Sequence, residues 1–175
     1  MKKLLKLISI LIITLLFAQQ NSFANDVYFI DYSKVMNESN AGKKAQDTLK
    51  KLLSSSNKKF NETAKKLREE ENKLISQKNV LDKEEYKKKA EALRKKVFNL
   101  NKERQDKIKN IALKRKKAGD EMLKNLNPIL GKYMEENNIT VVIDKKNVLM
   151  GNKKYEITSQ IIEILNKELK SININ

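Results

Sequence analysis

Residues 43–82 read KKAQDTLKKLLSSSNKKFNETAKKLREEENKLISQKNVLD, and residues 83–125 read KEEYKKKAEALRKKVFNLNKERQDKIKNIALKRKKAGDEMLKN. Lysine dominates both halves, Pro is absent, and Gly119 is the one glycine. Leu53, Phe60, Leu67, Leu74 and Leu81 recur every seven residues. A strict seven-residue repeat predicts a helix supercoiled left-handedly against a partner. The companion positions are half polar: Leu49 and Ala64 are apolar, whereas Ser56, Glu71 and Lys78 are not. The seam should therefore be thin.

The outgoing helix is predicted over 43–79. Asp82 followed by Glu85 has the form of a capping box, which restarts a helix and places a tight tip at 79–82. The returning helix carries Tyr86, Ala90, Leu93, Val97, Leu100, Ile108, Ile111, Ala118 and Met122. With the tip near residue 80, Leu74 should face Tyr86, Leu67 face Leu93, Phe60 face Leu100 and Leu49 face Ile111, with Leu53 opposite Ile108 after a shift of one. Two stripes read independently thus agree on one register. They predict an antiparallel hairpin arm roughly 55–60 Å long.

Charge singles out the same stretch. Residues 43–125 hold 27 basic and 13 acidic residues, net +14. Residues 25–42 sum to −2 and residues 126–175 to +1, so the positive excess sits on the arm. Such a field draws in anionic partners over about one Debye length, ~8–10 Å. Lys65, Lys66, Lys87, Lys88, Arg94 and Lys95 are the candidates for contact with an anionic partner or surface. The alternative for each cluster is a solvated coiled-coil face, but a merely soluble arm could mix both signs.

Outside the arm the pattern changes. Val27-Tyr28-Phe29-Ile30 reads as a strand apolar on both faces. Asp31 and Ser33 are possible caps for a short helix over 34–39, and 40–42 should bend the chain. Asn127-Pro128 should interrupt the return helix, by a kink or as the first turn of a new one. Residues 139–143 (ITVVI) read as a second strand, 145–147 as a turn and 148–150 as a third strand. Thr158 is placed to cap a last helix carrying Ile161, Ile162, Leu165 and Leu169.

The predicted class is mainly α with a small β body. Residues 25–42 and 126–175 form a three-strand association body, and 43–125 the coiled-coil tentacle that projects from it. So small a body with two-sided apolar strands points to burial against other copies, through Val27, Phe29, Val141, Ile143 and Val148.

The first 24 residues read as an export signal: Lys2, Lys3 and Lys6, an apolar run from Leu7 to Ala18, and small residues before a cleavage point after Ala24. An uncleaved anchor is the alternative, but the run is short for a span of ~20 residues. With no cysteine near that point, lipid attachment there is excluded.

The chain has no His and no Cys. That removes the commonest general base, the commonest metal ligand and all thiol chemistry. No Gly-rich phosphate loop exists. Glu69-Glu70-Glu71 point about 100° apart on a helix, a poor metal cage. Asp31 and Asp144 end strands and read as caps or turn ligands. No enzyme, metal or cofactor is expected.

Several segments carry a family resemblance: Val27-Tyr28-Phe29-Ile30-Asp31-Tyr32-Ser33-Lys34-Val35, Ile139-Thr140-Val141-Val142-Ile143-Asp144, Asn147-Val148-Leu149 and Glu156-Ile157-Thr158. Together with the basic hairpin between them, they resemble the Skp/OmpH family of periplasmic chaperones. The resemblance implies a homotrimer whose arms surround a cavity. It implies ATP-independent holding of unfolded outer-membrane proteins. Two other readings stand beside it. One is a cationic binder of lipopolysaccharide, an anionic membrane surface or nucleic acid, although no nucleic-acid reading motif is present. The other is a coiled-coil adaptor in the envelope with one folded partner.

Overall fold

The structure, a computed structural model, describes residues 26–174. The export signal and its cleavage after Ala24 lie outside the described residues. The elements are β1 (Val27–Ile30), α1 (Tyr32–Glu38), α2 (Asn40–Ser76), α3 (Lys83–Glu136), β2 (Val141–Asp144) and α4 (Thr158–Glu168), with single 3-10 turns at Lys145–Asn147 and Lys153–Tyr155.

Caps set the helix starts. Asp31 Oδ1 accepts from the Lys34 amide at 2.8 Å and opens α1, so Ser33 lies inside that helix. Ser39 Oγ accepts from the Gly42 amide at 3.1 Å and opens α2. The expected bend over 40–42 is therefore a single residue, and α2 begins at Asn40. The two helices meet so closely that a Cβ on Gly42 would collide with the Met36 carbonyl. Asp82 Oδ1 accepts from the amides of Glu84 and Glu85 at 2.9 and 2.8 Å and opens α3. The return half of the capping box does not form, because the Glu85 carboxylate pairs with Lys89 at 2.8 Å.

Helix α3 is 54 residues long and runs unbroken through Pro128. No new helix starts at Asn127-Pro128. A proline inside a helix costs ~3 kcal/mol. Leu126 and Ile129 on either side are buried in the core, and their packing outweighs that cost.

β1 and β2 pair in parallel, with Val27 opposite Val141 and Ile30 opposite Asp144. The sheet has two strands among the described residues, so the three-strand body is corrected. Asp144 Oδ1 accepts from the Lys146 amide at 3.1 Å and turns the chain into a 3-10 turn. Val148 then donates to the Lys145 carbonyl rather than to a ladder, and Leu149 and Met150 face solvent. The other edge of β1 is used by a bridge from Phe29 to Glu156, and Ile157 N donates to Phe29 O at 3.0 Å. Within the single chain Val27 and Val141 are both exposed.

The core lies where the chain's two ends meet. Ile30, Val35, Ala41, Met122, Leu126, Ile129, Ile157, Ile161 and Leu165 are buried together. Thr158 does not cap α4, whose cap residue is Ile157. Instead Thr158 Oγ1 accepts from the Asp31 amide at 2.9 Å and donates to Glu156 Oε1 at 3.1 Å. That hydroxyl holds the start of α4 to the end of β1. Asn166 accepts from the Asn40 amide at 2.7 Å and holds α4 to the start of α2. Among the described residues, no helix is long and apolar enough to cross a membrane.

Candidate functional site

Away from the core, α2 and α3 run back along each other. Leu49 and Ile111 share a buried cluster near the core end, and Lys96 Nζ bonds Glu70 Oε2 at 2.6 Å nearer the turn. The chain reverses through 77–82, after α2 ends at Ser76 rather than at 79. In the expected register Glu70 faces residue 90, so Lys96 sits ~9 Å further along the axis. Helical side chains lean toward their own N-terminus. In an antiparallel pair Glu70 leans away from the turn and Lys96 toward it, so two long side chains span the offset.

The seam follows the sequence stripe only in part. Leu49, Phe60, Leu67, Leu74 and Ile111 are buried, and Tyr86, Leu93 and Leu100 are half-buried. Leu53 and Ile108 are exposed, which removes that pair from the seam. Ser56 is buried in their place and Leu52 half-buried. An ideal helix drifts ~20° per heptad. Counting back from Leu74, the buried positions step by seven to Leu67 and Phe60, then by four to Ser56, and again by seven to Leu49. The four-residue step is a stutter that absorbs the drift. Leu53, which keeps strict heptad phase, rotates out.

The surface of this pair is basic and partly apolar. Lys65, Lys66, Lys87, Lys88, Arg94 and Lys95 are all exposed. Beside Arg94 a groove of about 550 Å³ is lined by Leu74, Ile75, Tyr86, Leu93, Val97 and Phe98. Val97, one of the apolar residues along the returning helix, is exposed, and Phe98 is 68% exposed. Phe98 lies off the apolar stripe, and that mismatch was its signal in the sequence. Val80, in the turn, is 83% exposed.

At the other end of the molecule, Phe29 is buried, Ile143 and Val148 are half-buried, and Val27 and Val141 form an exposed cross-strand pair. Gly151 passes so near the Phe29 ring that a Cβ there would come within 2.8 Å of Cε1. Lys145 Nζ bonds Glu156 Oε1 at 2.9 Å. That bond holds the Glu156 carboxyl below its usual pKa, burial opposes the shift, and the Thr158 hydroxyl adds to it. Among the described residues, no cluster of three acidic, His or Cys side chains could hold a metal ion.

The comparisons agree with this architecture. A crystal structure of a candidate outer membrane chaperone (OmpH-like) from Caulobacter crescentus CB15 superposes with a TM-score of 0.77. It is 19% identical, and the match covers 84% of this chain and 87% of that one. No curated protein sequence matches. The family described as outer membrane protein (OmpH-like) matches residues 26–165, which takes in the core, the sheet and both long helices. The chain therefore belongs to the OmpH-like family.

Proposed function

We infer that this protein is an ATP-independent periplasmic holdase for unfolded outer-membrane proteins. The observation that carries the reading is the composition of the α2–α3 surface. Net +14 over residues 43–125 coexists with apolar side chains left in water at Val80, Val97 and Phe98. Positive charge gathers an unfolded, often acidic chain from a distance. Exposed apolar groups then hold it by many weak contacts, with no single hot spot. Shielding a client's unpaired strand edges prevents aggregation without any energy source.

The body supports assembly. Among the described residues no strand pairs with the outer edge of β2, and the Val27–Val141 pair puts apolar area in water beside it. Three copies meeting there would cover both and hang three α2–α3 arms around a common cavity. The thin seam, with Ser56 buried in it, would let each arm splay to fit its client.

The test is light scattering from a urea-unfolded β-barrel protein diluted into buffer with this protein and no nucleotide. Aggregation should be suppressed at low salt and less so at high salt. No effect at either salt concentration sinks the reading. Native mass measurement tests the trimer, and a stable monomer removes the cavity.

A second reading is supported by the same charge. Contact with lipopolysaccharide or an anionic membrane surface would show as salt-dependent binding to anionic vesicles. Vesicle binding without client protection would favour it.

A further inference from the structure

The α2–α3 pair has two flanks, one on each side of its seam, and they differ in chemistry. One flank holds the groove beside Arg94, with Ile75, Tyr86, Val97 and Phe98. The other holds two grooves whose rims mix both signs: Lys59, Glu103 and Asp106 nearer the core, Glu70, Lys73 and Lys96 nearer the turn.

Periodicity puts every arginine of the chain on the first flank. Of the 38 basic residues only Arg68, Arg94, Arg104 and Arg115 are arginine. Along α3, Val97, Arg104 and Arg115 each follow a seam residue by four: Leu93, Leu100 and Ile111. A step of four turns ~40° to one side of the seam, and a step of three ~60° to the other. Lys96 and Glu103, three after Leu93 and Leu100, accordingly rim the mixed grooves. On α2, Arg68 stands one heptad before Ile75, and exposed Leu53 follows Leu49 by four. All four arginines are exposed. Among the described residues every ion pair is made by a lysine, so the four guanidinium groups have no carboxylate partner within the chain. Even Glu71, which lines the groove with Arg94, does not pair with it.

Lysine supplies charge on any face. A guanidinium adds two things: it grips a carboxylate through two parallel N–H bonds, and it stacks on aromatic rings. Arg94 and Arg115 stand ~32 Å apart along α3, so a ligand that reaches both is an extended chain of about ten residues. The recess lined by Ile75, Tyr86, Val97 and Phe98 takes an apolar side chain, which the phosphate plane of a bilayer does not present. We propose that the arm has one working flank: the side bearing Arg68, Arg94, Arg104 and Arg115 binds extended chain segments that carry carboxylates beside aromatic side chains. The opposite flank contributes general charge only. The proposal rests on the holdase reading above and gives it a side of the arm and a client chemistry.

The experiment uses the full-length protein and a fluorescent, disordered peptide that repeats Glu-Tyr-Ser-Phe. The variant Arg68→Lys/Arg94→Lys/Arg104→Lys/Arg115→Lys keeps every charge and alters only exposed positions, so its circular dichroism spectrum should match the parent's. It should bind the peptide at least about tenfold more weakly than the parent. Lys59→Gln/Lys73→Gln removes two charges from the other flank and should weaken binding by less than about twofold. Equal affinity for the parent and the arginine variant, or a larger loss in the lysine variant, overturns the proposal. A loss confined to anionic vesicles, with the peptide bound as before, also overturns it and gives the flank to lipid phosphate. Arginine-dependent peptide binding without protection of an unfolded barrel protein by the parent would sink the holdase reading but keep the flank. Undiminished protection and peptide binding in the arginine variant would do the opposite.

Discussion

Tyr32 donates its hydroxyl hydrogen to the Gly119 carbonyl at 2.8 Å, joining α1 to the middle of α3 across 87 positions of sequence. Nearby, the Asp31 amide donates to Thr158, 127 positions away. Two neighbouring residues just after β1 thus fasten α3 and α4. They tie down the root of the α2–α3 pair, while nearer the turn the two helices meet through a thin seam and the Lys96–Glu70 ion pair.

Tyr32→Phe should lower unfolding free energy by about 1 kcal/mol, because the Gly119 carbonyl keeps its place in the helix ladder. The variant should also change the alkaline limb. Burial raises the Tyr32 pKa, and Asp120 and Asp144 add repulsion against the phenolate. A raised folded pKa gives stability that is full below the unfolded value of about 10 and is lost as pH rises through the folded value. Denaturant melts from pH 8 to 12 should show that loss in the parent and a smaller one in Tyr32→Phe.

The acid limb should involve Glu156. Its folded pKa is lowered, chiefly by the Lys145 hydrogen bond. That contribution is present above the ordinary carboxylate value of about 4.3 and is lost as pH falls through the depressed one. Lys145→Met should therefore move the acid unfolding midpoint upward in pH, by less at high salt. A midpoint that stays put would show the pair to be thermodynamically idle.

Met122 is fully buried where α3 crosses the core. Met122→Ala should cost about 2–5 kcal/mol. Far-ultraviolet circular dichroism during a urea titration would report it as loss of the whole fold.

Gly42→Ala should cost about 1–3 kcal/mol, since the new methyl meets the Met36 backbone carbonyl, which cannot swing aside as a side chain could. The melting temperature is the readout. A variant as stable as the parent would mean that α1 and α2 can separate freely at Ser39.

Phe98→Ser should change stability by no more than about 0.5 kcal/mol, because the ring is already in water. If the holdase reading is right, the same variant protects an unfolded barrel protein less well at equal concentration. Unaltered protection would take Phe98 out of the client surface.

Local rules made much of this protein legible. Asp31 and Asp82 are short acidic residues ahead of helical pattern, and each caps the helix the sequence assigned to it. The stripe through Leu67 and Leu74 and the placement of charge over 43–125 needed only periodicity and counting. Two short β-branched runs marked β1 and β2 as strands, and the structure showed that they pair in parallel.

Long-range competition decided the rest. Pro128 stays helical because Leu126 and Ile129 are already buried around it. Residues 148–150 do not form a strand because Asp144 turns the chain and the free edge of β1 is bridged by Glu156. Leu53 leaves the seam because helical drift accumulates until a stutter hands its place to Ser56. The berth of Ile174 between Ala45 and Ala118 depends on three distant segments meeting. The sequence determined which long segments are helical and where the charge lies, because those follow from near neighbours. Tertiary structure alone decided which apolar residues are left in water, because burial depends on what the rest of the chain brings to them.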